Sequence, residues 1–369
     1  MTQTPAQRFY DAFRRTPTFG SLDGLRCLSI LAVIWHHAGT KGIPWRALNM
    51  GSLGVDLFFV ISGFLIVTLL LRERSATNHI SLRKFYIRRT LRIFPLYYGV
   101  ILGLAAFYAI VDTHSLFGGR FLGELPYYLT YTTDFVPVGL AIVWSLAAEE
   151  QFYLLWPSIE KHLAKHVVPV LMTLIILNQV VNFPVGKSEI SRIVGSTSWS
   201  DLSISQSTFT PILLGVWAAH LLHSERGYRL LGYLAAGRWA SAVYLLTLVA
   251  LLTMAPADIS GLPRLAIQIC MAALLVSCVY REDHVLGPLL RLAPIQRIGK
   301  ISYGMYLLHI QLIVLAAHLI RADPTQGSIE LYAFSLILTI IAAELSFRFF
   351  EGPLLRLKRN YSVIHQAHV

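Results

Sequence analysis

The chain has 369 residues, of which 55% are hydrophobic and only 14% charged, with a formal net charge of +11. That profile excludes an ordinary soluble globular domain of this length. The positive charge does not read as a nucleic-acid surface, because the arginines cluster beside apolar segments rather than among exposed aromatics. Cys27, Cys270 and Cys278 lie in or beside apolar segments without CxxC or histidine-rich spacing. They read as packing residues, not as a disulfide framework or a zinc site, and no metal is expected.

In chain order, residues 1–21 are polar and basic with no apolar core, and read as a cytoplasmic lead-in rather than a cleaved signal. Apolar runs of about 17 to 20 residues follow, each long enough to cross a hydrocarbon core of about 30 Å. They predict about ten transmembrane helices, at 22–38, 55–71, 93–111, 141–158, 167–182, 205–223, 239–256, 262–280, 302–320 and 329–350. The fold class is therefore all-α, a polytopic integral membrane bundle, with a single domain over 22–358 and a cytoplasmic tail at 359–369. Loops alternate between basic and neutral, and one side collects 24 of the 31 lysines and arginines. The positive-inside rule then puts both termini in the cytoplasm. The longest outward segments, 112–140 and 183–204, are polar and rich in Gly, Ser and Thr; they are covers for an outward-facing site or passive connectors. No internal repeat is visible, so the inverted-repeat pattern of many secondary transporters is missing.

Ionisable groups inside such segments are costly and mark candidate function. His37 lies 15 residues beyond Leu22, about 22 Å along a helix at 1.5 Å per residue, which puts it near the outer leaflet. Asp56 begins the second helix from outside, Glu149 and Glu150 sit in the fourth, and His309 sits in the ninth. Their depths allow a shared polar cluster. His37 suits a general base whose tautomer a carboxylate would fix; the alternative is an interfacial histidine bonded to a loop. His36, about 100° around the same helix, reads as structural. Glu149 is either the carboxylate facing His37 or half of a structural pair with a buried arginine. Both glutamates cannot face one way.

The stretch from Arg83 to Arg92 is the densest basic run. Arg89 and Arg92 are three apart, on one helix face, and could clamp a phosphate or diphosphate. The alternative is a positive-inside anchor for anionic lipid heads. No phosphate loop, GxSxG elbow, HExxH or DxD-type cluster stands out, which argues against the usual soluble hydrolase, kinase and metallopeptidase chemistries.

Six strings in order resemble the acyltransferase-3 family of bacterial membrane O-acyltransferases that decorate surface and secreted glycans. They are LDGLRCLSILAVIWHHAG (22–39), GVDLFFVISGFLI (54–66), FYIRRTLRIFPLYY (85–98), VWSLAAEEQFYLLWP (143–157), IGKISYGMYLLHI (298–310) and FRFFEGP (347–353). The resemblance implies that His37 is the essential first-helix histidine and that Arg89 and Arg92 are the RxxR motif used for acyl-CoA. It places the glutamate of the tryptophan-serine-leucine motif on Glu149, after Trp144 and Ser145. It also points to Asp23, Arg26, Asp56, Tyr303 and His309. Cys27 departs from the small residue usual after the LDGLR-type start. Longer members carry an added soluble domain, and a one-domain enzyme is implied here.

The implied layout docks the CoA phosphates at Arg89 and Arg92 on the cytoplasmic side, with the thioester reaching a bundle interior where His37 deprotonates a sugar hydroxyl. Glu149 or Asp56 would orient His37. Trp144, Ser145, Tyr303 or His309 would serve substrate or oxyanion. Direct transfer and a covalent acyl-histidine relay both fit. The co-substrate is acyl-CoA, acetyl being the family's common group. The acceptor is a glycan or lipid-linked sugar, and the setting is the bacterial cytoplasmic (inner) membrane. The rival readings are a transporter or flippase for a glycan or lipid-linked sugar, and a subunit that only scaffolds a synthase.

Overall fold

The computed structural model describes residues 5–112, 114–183, 209–256 and 259–357. Among them every regular element is helical. The principal helices are α1 (Pro5–Arg15), α2 (Gly20–Ala38), α3 (Gly54–Thr77), α4 (Leu82–Ile110), α5 (Trp144–His162) and α6 (Val167–Asn182). There follow α7 (Thr210–His223), α8 (Glu225–Ala235), α9 (Ala240–Met254), α10 (Gly261–Tyr280), α11 (Ala293–Ile320) and α12 (Ile329–Ser346).

Among the described residues every predicted apolar segment is occupied by helix, but not all of them are spans by length and composition. Five helices among the described residues are long and apolar enough to cross a membrane, and up to seven if each bent pair counts as one. The bent pairs are α1 with α2, at 73°, and α8 with α9, at 68°. The differences have local causes. α6 and α7 are apolar but short, and α5 carries Glu149, Glu150, Glu160 and Lys161, which lower its hydropathy. The segment expected as an outward loop at 183–204 lies outside the described residues except for Phe183, as do the start of the predicted sixth helix and the tail at 359–369.

The chain divides into two units: residues 1–76, 211–347 and 364–369 in the first, and 77–210 with 348–363 in the second. In the first unit α2 packs against α11, and α11 against α12. The approach of α11 to α2 is close because of Gly299: a Cβ there would fall 1.9 Å from the Asp23 carbonyl oxygen. Beyond α2 the backbone is tied to the α11–α12 loop, with Ser328 N–H donating to the Ala38 carbonyl at 3.1 Å and Trp35 edge-on to Tyr332 at 4.9 Å. At the other end of these helices Arg297 forks onto Glu344 with bonds of 2.7 and 2.6 Å. Cys27, Cys270 and Cys278 are all buried and unpaired.

α3 and α7 meet through reciprocal glycines. A Cβ on Gly63 would lie 2.0 Å from the Ile212 carbonyl oxygen, and one on Gly215 would lie 2.1 Å from that of Val60. Small residues let helix backbones touch, which replaces the hydrophobic drive that is absent between helices in lipid. Gly215→Val therefore has to part the helices, at a cost of about 1–3 kcal/mol for overpacking. The expected result is a lower thermal unfolding midpoint in detergent. An unchanged midpoint would refute the close contact.

The second unit is built on α4, which Ser81 caps by accepting from the Lys84 N–H. Tyr97 and Tyr98 on α4 donate to the carbonyls of Tyr128 and Leu129 at 2.8 and 3.0 Å. The outward segment expected at 112–140 is thus tied to α4 through its described residues. Its hub is Glu124, which accepts from Arg120 Nε at 2.6 Å, Tyr128 Oη at 2.8 Å and Gly139 N at 2.7 Å. Burial works to raise the Glu124 carboxyl, but the Gly139 N–H, Arg120 and Tyr128 together hold it below the ordinary carboxylate range. The same segment is pinned to α5 by Gln151, whose Nε2 donates to the Tyr131 carbonyl and to Asp134 Oδ1 at 3.1 and 2.9 Å. Burial pushes the Asp134 carboxyl up to about 6, with the Gln151 bond pulling the other way.

Candidate active site

Within the first unit two of the predicted residues meet. His37, in the last turn of α2, stands with its ring 5.2 Å from that of His309 on α11, and 5.0 Å from that of His36. His37 is half-buried, while His309 has no exposed surface. His309 Nδ1 bonds the Tyr306 carbonyl at 2.5 Å, and Tyr306 stacks obliquely on it at 5.5 Å. His36 is held through its main chain, its carbonyl accepting from the Lys41 ammonium. Tyr303 lies half-buried on α11, six residues before His309. Asp23 and Arg26 pair with each other on α2 at 3.2 Å, and the Asp23 main chain is where Gly299 seats α11.

Asp56 is not bonded to His37, as the sequence reading allowed. It is buried on α3, and Arg264 on α10 forks onto it at 3.2 and 3.1 Å while Gln268 donates at 2.8 Å. The physical reason is that a guanidinium offers a carboxylate two parallel charged bonds, whereas a neutral imidazole offers one. Arg264 and Gln268 are the residues that sequence reasoning missed. A signal was present: an arginine and a glutamine one turn apart in an otherwise apolar helix are as costly as the acids that drew notice.

In the second unit Arg89 lies over the rings of Tyr153 and Phe85, at 5.0 and 5.8 Å. Such contacts help to orient a guanidinium. Arg92 sits one turn on, half-buried on the same helix. On α5 Trp144 is the first residue, Ser145 is buried with its hydroxyl donating to the Ile142 carbonyl at 3.2 Å, and Glu149 and Glu150 are half-buried. Glu150 is close enough to feel the charges of both Glu149 and Arg89. Two cationic forks on one face, with Arg83, Lys84 and Arg88 nearby in sequence, suit a phosphate or diphosphate ligand. Among the described residues no group of three or more His, Cys, Asp or Glu could hold a metal ion.

A family model described as an acyltransferase domain matches residues 19–346. YrhL of Bacillus subtilis (strain 168) is 30% identical over 356 residues, which cover 90% of this chain and 54% of the relative. O-acetyltransferase OatA of Staphylococcus aureus (strain NCTC 8325 / PS 47) is 28% identical over 355 residues, 90% of this chain and 56% of the relative. Peptidoglycan O-acetyltransferase OatA of Listeria monocytogenes serovar 1/2a is 27% identical over 358 residues, 90% of this chain and 55% of the relative. The chain spans about half the length of the curated relatives it matches. No solved structure matches it. The family match opens just before α2, closes with α12, and takes in His37, Arg89, Arg92, Glu149 and His309; the chain belongs to this acyltransferase family, the one its motifs resemble.

Proposed function

We propose that the chain is a membrane-embedded O-acyltransferase that moves an acetyl group from cytoplasmic acetyl-CoA to a sugar hydroxyl of a cell-surface glycan. The observation that carries this reading is the family match over 19–346, which holds the histidine and both arginines in one frame. The names of the Staphylococcus and Listeria relatives support acetyl as the group, and that of the Listeria relative supports peptidoglycan as the acceptor class. A transporter reading has no such support. In the proposed topology ten helices span the bacterial cytoplasmic membrane with both termini inside, and the bent pairs, α5, α6 and α7 complete the count.

His37 takes the proton of the acceptor hydroxyl as that oxygen attacks the thioester carbonyl carbon. The carbon–sulfur bond then breaks, and the CoA thiolate leaves and takes up a proton. Transfer is direct, and Glu149 and Asp56 support the site rather than react. Trp144, Ser145 and Tyr303 are the candidate donors to the oxyanion, and Asp23 with Arg26 braces α2.

Arg89 and Arg92 bind the phosphates of the donor. Replacing either with Gln is expected to raise KM for acetyl-CoA by about 10-fold or more, because one charge-assisted hydrogen bond is worth about 1.5–3 kcal/mol. At saturating donor kcat changes far less. An unchanged KM would reassign the pair to lipid anchoring. The glycan assignment is tested by mass spectrometry of cell-surface glycans from wild-type, deletion and His37→Ala strains. Loss of one acetyl mass in both altered strains is expected, and unchanged glycans sink the assignment.

A further inference from the structure

His309 is wholly buried in α11, and a buried imidazole needs a partner for each ring nitrogen. One nitrogen has it. Nδ1 lies 2.5 Å from the Tyr306 carbonyl oxygen, and since a carbonyl can only accept, Nδ1 carries the hydrogen. A neutral imidazole protonated there leaves Nε2 as a bare lone pair. That Nε2 is buried and has no hydrogen-bond partner. The other imidazole that packs against it is His37, with ring centroids 5.2 Å apart and planes tilted by 52°.

Three acids of this unit are committed to other partners. Asp56 serves Arg264 and Gln268, Asp23 serves Arg26, and Glu344 serves Arg297. His36, the remaining ring beside His37, meets it edge-on at 80°. The backbone contact at Gly299 seats α11 on α2, so the two helices that carry His37 and His309 are held together by more than the rings themselves.

We propose that His309 is the positioning residue of His37. Its Nε2, unpartnered in the structure and beside the His37 ring, is the acceptor onto which one ring N–H of His37 turns in the working site; that bond selects the ring's tautomer and leaves its other nitrogen unprotonated, ready to take the acceptor's proton. The proposal rests on the reading of His37 as general base. A neutral imidazole does here what a carboxylate does at other acyl-transfer sites. It brings no charge into an apolar interior, where a lone carboxylate is expensive.

The full chain in nanodiscs provides the test, by 15N-histidine NMR with the His309 signals assigned from their loss in His309→Gln. The expected spectrum shows His309 as the Nδ1–H tautomer, with an Nε2 resonance that moves when His37 is replaced by Ala. An Nε2–H tautomer, or no response to His37→Ala, overturns the proposal. His309→Phe fills the space of the ring but accepts nothing. It is expected to lower kcat by about 10- to 100-fold, the range for lost orienting partners, with KM for donor and acceptor within about two-fold. His309→Gln, whose Oε1 can accept, should retain more activity than His309→Phe. A folded His309→Phe enzyme with wild-type kcat, or a loss confined to KM, overturns the positioning role. If His309→Phe does not fold, the wild-type tautomer decides alone. Activity surviving in His37→Ala would remove the base assignment itself, whereas an inactive His37→Ala beside an active His309→Phe removes only the role of His309.

Discussion

Replacing His37 with Ala is expected to lower acetyl transfer by about 10²- to 10⁴-fold, the usual contribution of a positioned general base, while KM for acetyl-CoA stays near the wild-type value. The separation follows from where the groups lie. His37 is at the end of α2, and Arg89 and Arg92, to which donor binding is assigned, are on α4. Folding should be little affected. His37 is half-buried, and Trp35 against Tyr332 together with the Ala38–Ser328 backbone bond continue to hold the end of α2. The measurement is initial-rate kinetics of purified protein with acetyl-CoA and an acceptor glycan, beside a thermal unfolding scan. A folded His37→Ala enzyme with unchanged kcat would remove the base assignment.

The second large effect falls on stability. Asp56→Ala strips Arg264 of its carboxylate, and a pair whose acid is 2% exposed and whose guanidinium is 19% exposed is buried enough for that to matter. Removing one partner of a buried pair costs about 3–5 kcal/mol; the residual exposure of Arg264 places the expected loss near the lower end, at about 3 kcal/mol. Gln268 loses its acceptor as well. The double variant Asp56→Ala/Arg264→Leu should recover part of the loss, since no unpaired charge then remains. Unfolding of the two single variants and the double variant in detergent reads the coupling. Additivity within about 0.5 kcal/mol would show that the pair does not act as a unit.

Much of this was legible in the residues themselves. The rings of α2, the RxxR face of α4 and the acids of α5 were visible because each is a polar residue where polarity is costly. The carboxylate partner expected for His37 shows where such reading stops. Depth along a helix follows from counting residues, and by depth Asp56 was a fair candidate. Whether it turns to His37 or to Arg264 depends on the rotation of α3 and on α10, which lies some 200 positions away in the chain. The same holds for the outward segment at 112–140. Its Gly, Ser and Thr content left it a cover or a connector, whereas the contacts that hold its described residues are tyrosines of α4 bonding to main-chain carbonyls and the Glu124 hub.

The sequence by itself determined the helical class, the apolar segments and their order, and the family, because these are properties of local composition and of motifs at fixed positions. The tertiary structure alone decided that Asp56 belongs to Arg264 and Gln268, that His37 stands against a buried histidine, and that α11 reaches α2 through Gly299. Each of those outcomes rests on which face a helix turns to its neighbour. Successive residues differ by about 100° around the axis, and only packing chooses among those faces.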